Sequence, residues 1–487
     1  MSSDFQVGII GAGFAGLIAA LRLQQSGRNS FVIFERAHDV GGTWRDNVYP
    51  GCACDVPSHL YSIATEPNPN WSRMYSAQAE IWEYMRNVVR KNRLESHIRY
   101  NSDIVRCEFM EQAGVWKVLD QQGRATTVRM LIAGLGPLNR AKLPELKGLE
   151  TFQGKVQHSA QWDKSYSLKG KRVAVIGTGA SAVQIVPTIA PEVKQLIVFQ
   201  RTPAWVGDRF DFVIPKLLRG LLQKLPRLHR ALRGGLYRLL EWRGKMFIGN
   251  ERIHHLFMKL SLQKLKKEVR DPEVRRKLTP NYKMGCKRIL VSDDYWPAFN
   301  RANVYLETAS IAEITRAGIR THEGKEHEVE VIVFATGFEV ADATSLTMKI
   351  IGRNGRDLFE GWRRTSMEAY KGGMITGFPN FAYLLGPNSG LGHNSVLLVI
   401  EMQMNYVIDY LALLEKKGEK AALDLQPHVQ RAYNDELQRL MADTVWMSGC
   451  KAWYANAQGK VTALYPRLLE QFRRENERVK EKDYEMV

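Results

Sequence analysis

Cysteine is scarce in this 487-residue chain. The five residues, Cys52, Cys54, Cys107, Cys286 and Cys450, are odd in number and lack CxxC spacing. That suits a reducing, cytoplasmic compartment and argues against a disulfide reductase. Cys52 and Cys54 have no second pair nearby, so no metal site is expected. No apolar run approaches the roughly 20 residues that cross a bilayer, so no membrane span is expected. The opening MSSDFQVGIIG enters a strand too soon to leave room for a charged n-region and cleavage site, so no signal peptide is expected either. Acid is the other shortage: 51 Asp and Glu face 69 Lys and Arg, a net charge of +18. No nucleic-acid recognition motif accompanies that excess, which sets nucleic acid aside as a partner.

What the chain does have is one pattern written twice. Gln6 to Ile10 is an apolar strand that meets Gly11-Ala12-Gly13-Phe14-Ala15-Gly16, then the helical run LIAALRLQQSG, then a strand ending at Glu35. Lys171 to Ile176 is another such strand, meeting Gly177-Thr178-Gly179-Ala180-Ser181-Ala182, and its second strand ends at Arg201. Such glycines permit a tight turn and close approach to a pyrophosphate, which then sits on a helix N-terminus. Both units run 24 residues from first glycine to final charge, yet the charges are opposite. A carboxylate there accepts from a ribose 2′-hydroxyl, whereas an arginine pairs with a 2′-phosphate. Unit one therefore reads as an FAD site and unit two as an NADPH site. The expected fold is α/β, with two Rossmann-like dinucleotide-binding domains and a helical insertion.

That insertion carries much of the charge. From Lys216 to Lys245 there is one acid, Glu241, among many Lys and Arg, and leucines recur at three- and four-residue steps from Leu217 to Leu240. The spacing predicts one or two amphipathic helices broken near Pro226 and Gly234-Gly235. Their apolar face is expected to pack on the core; weak contact with an anionic membrane surface through 216–245 is the competing reading.

Gly41-Gly42-Thr43-Trp44-Arg45-Asp46-Asn47-Val48-Tyr49-Pro50-Gly51, continuing to Asp55, is a long Gly/Pro-marked loop of the functional kind. It resembles the flavin-proximal loop of the type I Baeyer–Villiger monooxygenases. Phe152-x-Gly154-x-x-x-His158-x-x-x-Trp162-Asp163 is similar to that family's linker fingerprint. Further matches are Gly285-Cys286-Lys287-Arg288, Ala335-Thr336-Gly337-Phe338, Gly386-Pro387-Asn388-Ser389-Gly390 and Cys450-Lys451-Ala452-Trp453-Tyr454, so the resemblance covers about residues 5 to 465.

The resemblance implies an NADPH- and O₂-dependent monooxygenase that turns ketones into esters or lactones through a flavin C4a-peroxide. It implies an FAD-binding domain of 1–150 and 331–487, an NADP-binding domain of 151–205 and 284–330, and the helical insertion at 206–283. It makes Arg288 the fixed cation beside the reacting oxygens and Asp55 its partner. Around the flavin it extends the site from Gly11, Gly13, Phe14, Ala15, Gly16 and Glu35 to Arg36, Gly42, Thr43, Trp44, Asp46, Tyr61, Ile104, Asn388, His393 and Val396. Lys287 joins Arg201 and Thr202 at the 2′-phosphate, Trp453 lies against the nicotinamide ribose, and His158 holds the linker. The alternative, a flavin-containing monooxygenase acting on N or S centres, would not need Arg288, because heteroatom attack uses the protonated hydroperoxide. A non-catalytic, membrane-peripheral flavoprotein is the third reading, against which the intact motif set argues.

Overall fold

Two apolar runs, each stopped by a glycine, found two separate sheets in a computed structural model of the chain, which describes residues 3–338, 347–450 and 452–487. In the first sheet β1 (Phe5–Ile10) leads into α1 (Phe14–Gln25) and β2 (Phe31–Phe34). It continues with β3 (Ile98–Arg99), β4 (Ile104–Met110), β5 (Val115–Asp120) and β6 (Ala125–Ala133). The second sheet takes β7 (Lys155–His158), β8 (Arg172–Ile176), α2 (Ala182–Ile189) and β9 (Gln195–Phe199). Between the sheets' later strands come α3 (Lys216–Lys224), α4 (Pro226–Gly244) and α5 (Glu251–Glu268). Then follow β10 (Val304–Glu307), β11 (Val331–Phe334), β12 (Lys349–Ile351), β13 (Phe381–Tyr383) and the long α6 (Val396–Lys416).

The first sheet runs β12-β4-β5-β6-β1-β2-β3, with β13 also on β6; the second runs β10-β9-β8-β11-β7 and is wholly parallel. Its central strands are continuous apolar runs because helices and loops cover both faces. The repeat seen in sequence is a repeat in register: Ile10 lies opposite Phe34, and Ile176 opposite Phe199. In each unit the first glycine donates its N–H to the last residue of the second strand, Gly11 to Phe34 at 2.8 Å and Gly177 to Phe199 at 3.1 Å.

Four details differ from the sequence reading. β11 pairs with β8 and β7, so the chain is still in the second sheet at 331, where the FAD domain was expected to resume. The linker residues 155–158 are themselves the edge strand β7 of that sheet. Helix α6, 21 residues long, is by length and composition apolar enough to cross a membrane. It packs instead along α1, with Val399, Met404, Tyr410 and Leu414 fully buried. Low cysteine content also does not keep the thiols apart, since Cys286 and Cys450 are joined as a disulfide with Cα atoms 6.2 Å apart. Cys52, Cys54 and Cys107 are free and buried.

The insertion departs further. Pro226 starts α4 as expected, but Gly234 and Gly235 lie inside one unbroken helix. The leucines do not all face inward. Leu222, Leu236 and Leu240 are buried, whereas Leu217, Leu221, Leu225, Leu228 and Leu239 are exposed.

Candidate functional site

At the first turn the glycines are required by space. Gly11 has φ +95°, and a Cβ there would come within 2.7 Å of the Gly134 carbonyl. A Cβ on Gly16 would lie 1.9 Å from the Gly11 carbonyl oxygen, so only hydrogen fits. Gly13 approaches Gly42, which brings the short helix Thr43–Asp46 beside the turn. Phe14 and Ala15 open α1, whose first N–H groups have no intrahelical partner. Phe14 meets Tyr61 edge-on at 5.4 Å, and Trp44 donates Nε1–H to the Tyr61 hydroxyl at 3.1 Å.

Glu35, 3% exposed, accepts from Ala12 N–H at 2.8 Å, from Ala37 N–H at 3.0 Å and from Arg45 Nη1 at 2.8 Å. Its Oε2 carries only the Ala12 bond and keeps capacity for a ribose hydroxyl. Arg45 is a residue the sequence reading missed. It is buried against Glu35 and Asp46, whereas the expected Arg36 is half-exposed and reaches Asp46 at 3.5 Å. Ile104 belongs to the apolar cluster of Ile10, Val32 and Phe34. Asn388, at φ +50°, donates Nδ2–H to Val461 and Leu464 carbonyls and leaves its buried Oδ1 without a partner among the described residues. Val396 is the first residue of α6, after the capping Ser395, and His393 Nε2 sits 2.9 Å from Glu241 of α4.

The second turn is looser. Gly177 has φ +114° and a Cβ there would meet the Ala335 carbonyl at 2.5 Å, but nothing lies within 4 Å of one on Gly179. Thr178 Oγ1–H donates to the Thr202 carbonyl at 2.9 Å, tying turn to strand end, while Ala180 and Ser181 complete the turn before α2 starts at Ala182. Arg201 is exposed, and neither it nor Lys287 has an ion-pair partner among the described residues. Burial and the neighbouring Arg201 charge push the Lys287 ammonium below its usual pKa. Two like charges held together, without a carboxylate, fit an anionic 2′-phosphate.

Between the two turns, Arg288 Nη2 meets Asp55 Oδ2 at 2.5 Å across 233 residues of sequence. Both stay partly accessible, with 45% and 27% of the side chain exposed. The Asp55 charge raises the already high Arg288 pKa. Burial pushes the Asp55 carboxyl up, but the Arg288 charge and hydrogen bond outweigh it, and the net shift is downward. Both groups are therefore charged throughout the working pH range. Tyr454 is buried beside Arg288, with Trp453, 43% exposed, at 4.4 Å from it; Lys451 of the same motif lies outside the described residues.

Two further residues that no motif marked hold the Asp55 loop. Arg209 donates Nη2–H to the Cys54 carbonyl at 3.0 Å. Gln184 of α2 donates to the Ala53 carbonyl at 3.0 Å and accepts from the Tyr49 hydroxyl at 3.0 Å, so the second unit's own helix grips the loop that carries Asp55. His158, 4% exposed, accepts from Ala160 N–H, and burial lowers its pKa, which keeps it neutral in β7. One unexpected group, Glu251, His254 and His255 on α5, gathers donors that could hold a metal ion. Lys283 already pairs with Glu251, and the Met284 carbonyl with His254 Nε2.

The Flavin-binding monooxygenase-like family matches residues 4–217. A "Baeyer-Villiger monooxygenase" of Pseudomonas aeruginosa is 45% identical over 470 residues, 96% of this chain and 89% of its own. Another of that description from Streptomyces coelicolor is 43% identical over 483 residues, 99% and 92%. Among solved structures, OTEMO in complex with FAD and NADP aligns over 100% of both chains with a TM-score of 0.88 at 26% identity.

Proposed function

Since the chain belongs to the Baeyer–Villiger monooxygenases, FAD-containing and NADPH-dependent enzymes that convert ketones to esters or lactones, we propose that Arg288 is its catalytic cation and Asp55 the residue that positions it. Bound FAD, once reduced by NADPH, supplies the activation of O₂. Arg288 meets the negative charge that develops on oxygen as the ketone is attacked. A guanidinium suits this because it stays charged at any working pH and presents several donors in a fixed plane. Asp55 fixes that plane, and Arg209 and Gln184 fix Asp55 by holding the backbone on its N-terminal side.

The observation that carries this reading is the Arg288–Asp55 pair itself, drawn from two segments 233 residues apart and left partly accessible. Glu35 with the 11–16 turn would hold the FAD ribose and pyrophosphate, and the unpartnered Asn388 Oδ1 is available to a ring N–H. Arg201, Lys287 and Thr202 would hold the NADPH 2′-phosphate. The small-molecule ketone and O₂ are the co-substrates of this reading. The division into an FAD-binding part, an NADP-binding part that includes 331–338, and a helical insertion follows the two sheets. A cytoplasmic location is supported by dependence on NADPH.

The test is Arg288→Met. Removing a donor to developing oxyanion charge costs about 10²–10³-fold in turnover, so ester formation should fall by at least that much while NADPH still bleaches the flavin at close to the wild-type rate. Undiminished ester formation would overturn the assignment.

A further inference from the structure

The outward face of the helical insertion is unlike the rest of the surface. On α4 and its approach, Leu225, Leu228, Leu239 and Trp242 follow one another at three- and eleven-residue steps, which places them on a single helical stripe, while Leu232 on the same side is half-buried against Leu60, Leu236 and Leu240. Leu225 is 49% exposed, Leu239 50% and Trp242 41%. α3 adds the exposed Leu221 and Leu217, the latter 87% exposed, and the preceding loop adds Phe210, 75% exposed, and Phe212. So many exposed large apolar side chains within one segment, residues 210–242, are uncommon on a protein with nothing against it.

Lys216, Lys224, Arg227, Arg238 and Lys245 lie beside these side chains in the sequence, and among the described residues none of them has an ion-pair partner. The basic groups on the sheets and on α6 and its neighbours are, by contrast, repeatedly paired, as Arg28 with Glu415, Arg86 with Asp39 and Arg172 with Glu328 are. Leucines and an aromatic flanked by uncompensated Lys and Arg on short helices make the composition of an element that lies in a lipid interface. A second copy of the chain is a poor occupant, because a two-fold contact through this face would set the same cations against each other.

We propose that the Phe210–Trp242 face docks on the surface of a bilayer containing anionic phospholipid, with the leucine stripe in the acyl boundary and the flanking cations at the headgroup phosphates. The helices lie on the membrane and none crosses it.

The experiment is co-sedimentation of the FAD-loaded protein with phosphatidylcholine vesicles, with and without phosphatidylglycerol. Binding is expected only to the phosphatidylglycerol vesicles and should fall when salt is raised. Replacing Arg227 and Arg238 by Gln should weaken it about fivefold per charge. Leu217→Ser with Leu221→Ser and Leu228→Ser should abolish it; because these side chains already face solvent, turnover of a water-soluble ketone and the melting temperature should not change. Equal binding to both vesicle types, or none to either, would overturn the proposal. So would a dimer in sedimentation velocity that the serine variant disperses while vesicles fail to bind.

Discussion

The two glycine units share strand register, turn and length, yet they treat the charge at the end of the second strand in opposite ways. Glu35 is sealed: 3% exposed, bonded by two backbone N–H groups and braced by Arg45. Arg201 stands open beside Lys287, with no counter-ion among the described residues. The third glycine position repeats the contrast, since Gly16 has no room for a methyl group and its counterpart is Ala182. A prepaid, buried carboxylate suits a cofactor that is bound once and stays. An exposed arginine beside a half-buried lysine, two mutually repelling cations, suits an anionic cofactor that arrives and leaves, because their repulsion is relieved only while the anion is present.

The contrast breaks most completely at Gly16. Gly16→Val should abolish folded, FAD-loaded protein, since a side chain there meets backbone rather than a movable side chain; recovery of a yellow, soluble variant on gel filtration would refute the packing argument. Glu35→Ala comes next. It strands the buried Ala12 N–H, at about 1–3 kcal/mol for a buried group left unsatisfied, leaves the half-buried Ala37 N–H without its acceptor and removes the ribose acceptor, while Arg45 keeps Asp46 and the Asp39 carbonyl; it should therefore weaken FAD retention by about tenfold or more in a flavin-to-protein absorbance ratio after dialysis. A smaller effect belongs to the contact between the insertion and the loop after Asp55. There His59 Nδ1 and His229 Nε2 are 3.0 Å apart, and burial, with His229 and Arg233, pushes the His59 pKa down to about 4. A His with a depressed folded-state pKa adds stability above its unfolded value of about 6.5 and loses it as pH falls toward about 4. The melting temperature should therefore drop by a few degrees between about pH 6.5 and pH 4, and His229→Gln should flatten that slope; an unchanged slope would remove the pair from the account. Smallest of all for the folded protein, Gly179→Ala should leave the melting temperature and the flavin content unchanged, because no protein atom lies within 4 Å of the added methyl, while the KM for NADPH rises, because this glycine lets the turn approach the pyrophosphate; an unchanged KM would remove the second turn from the NADPH site.

The duplicated turn was legible because its requirements are local: an apolar strand, glycines at fixed steps and one charge 24 residues on. Arg288 and Asp55 were legible only through the resemblance, since nothing in GCKR or in a loop aspartate says that they meet across 233 residues. Arg45, Arg209 and Gln184 gave no signal at all. Each acts through a contact set by tertiary packing, and an arginine or glutamine in a helix or loop reads as surface until its neighbour is known. The leucine spacing in α4 named the helix correctly but not the direction of its apolar face, because periodicity fixes that residues share a side and not what lies beyond it. The same limit hid the continuation of the second sheet into β11: an apolar strand carries no mark of which sheet it joins.

The measurement that bears most directly on the difference between the two units is anaerobic stopped-flow reduction of the enzyme-bound flavin by NADPH and by NADH, in the wild type and in Arg201→Ala combined with Lys287→Ala. Two charge-assisted contacts at about 1.5–3 kcal/mol each predict that the wild type prefers NADPH by at least about 10²-fold, that the double variant loses this preference chiefly through NADPH binding, and that both proteins keep their FAD. A wild-type preference for NADH, or a double variant that still discriminates as the wild type does, would contradict the account.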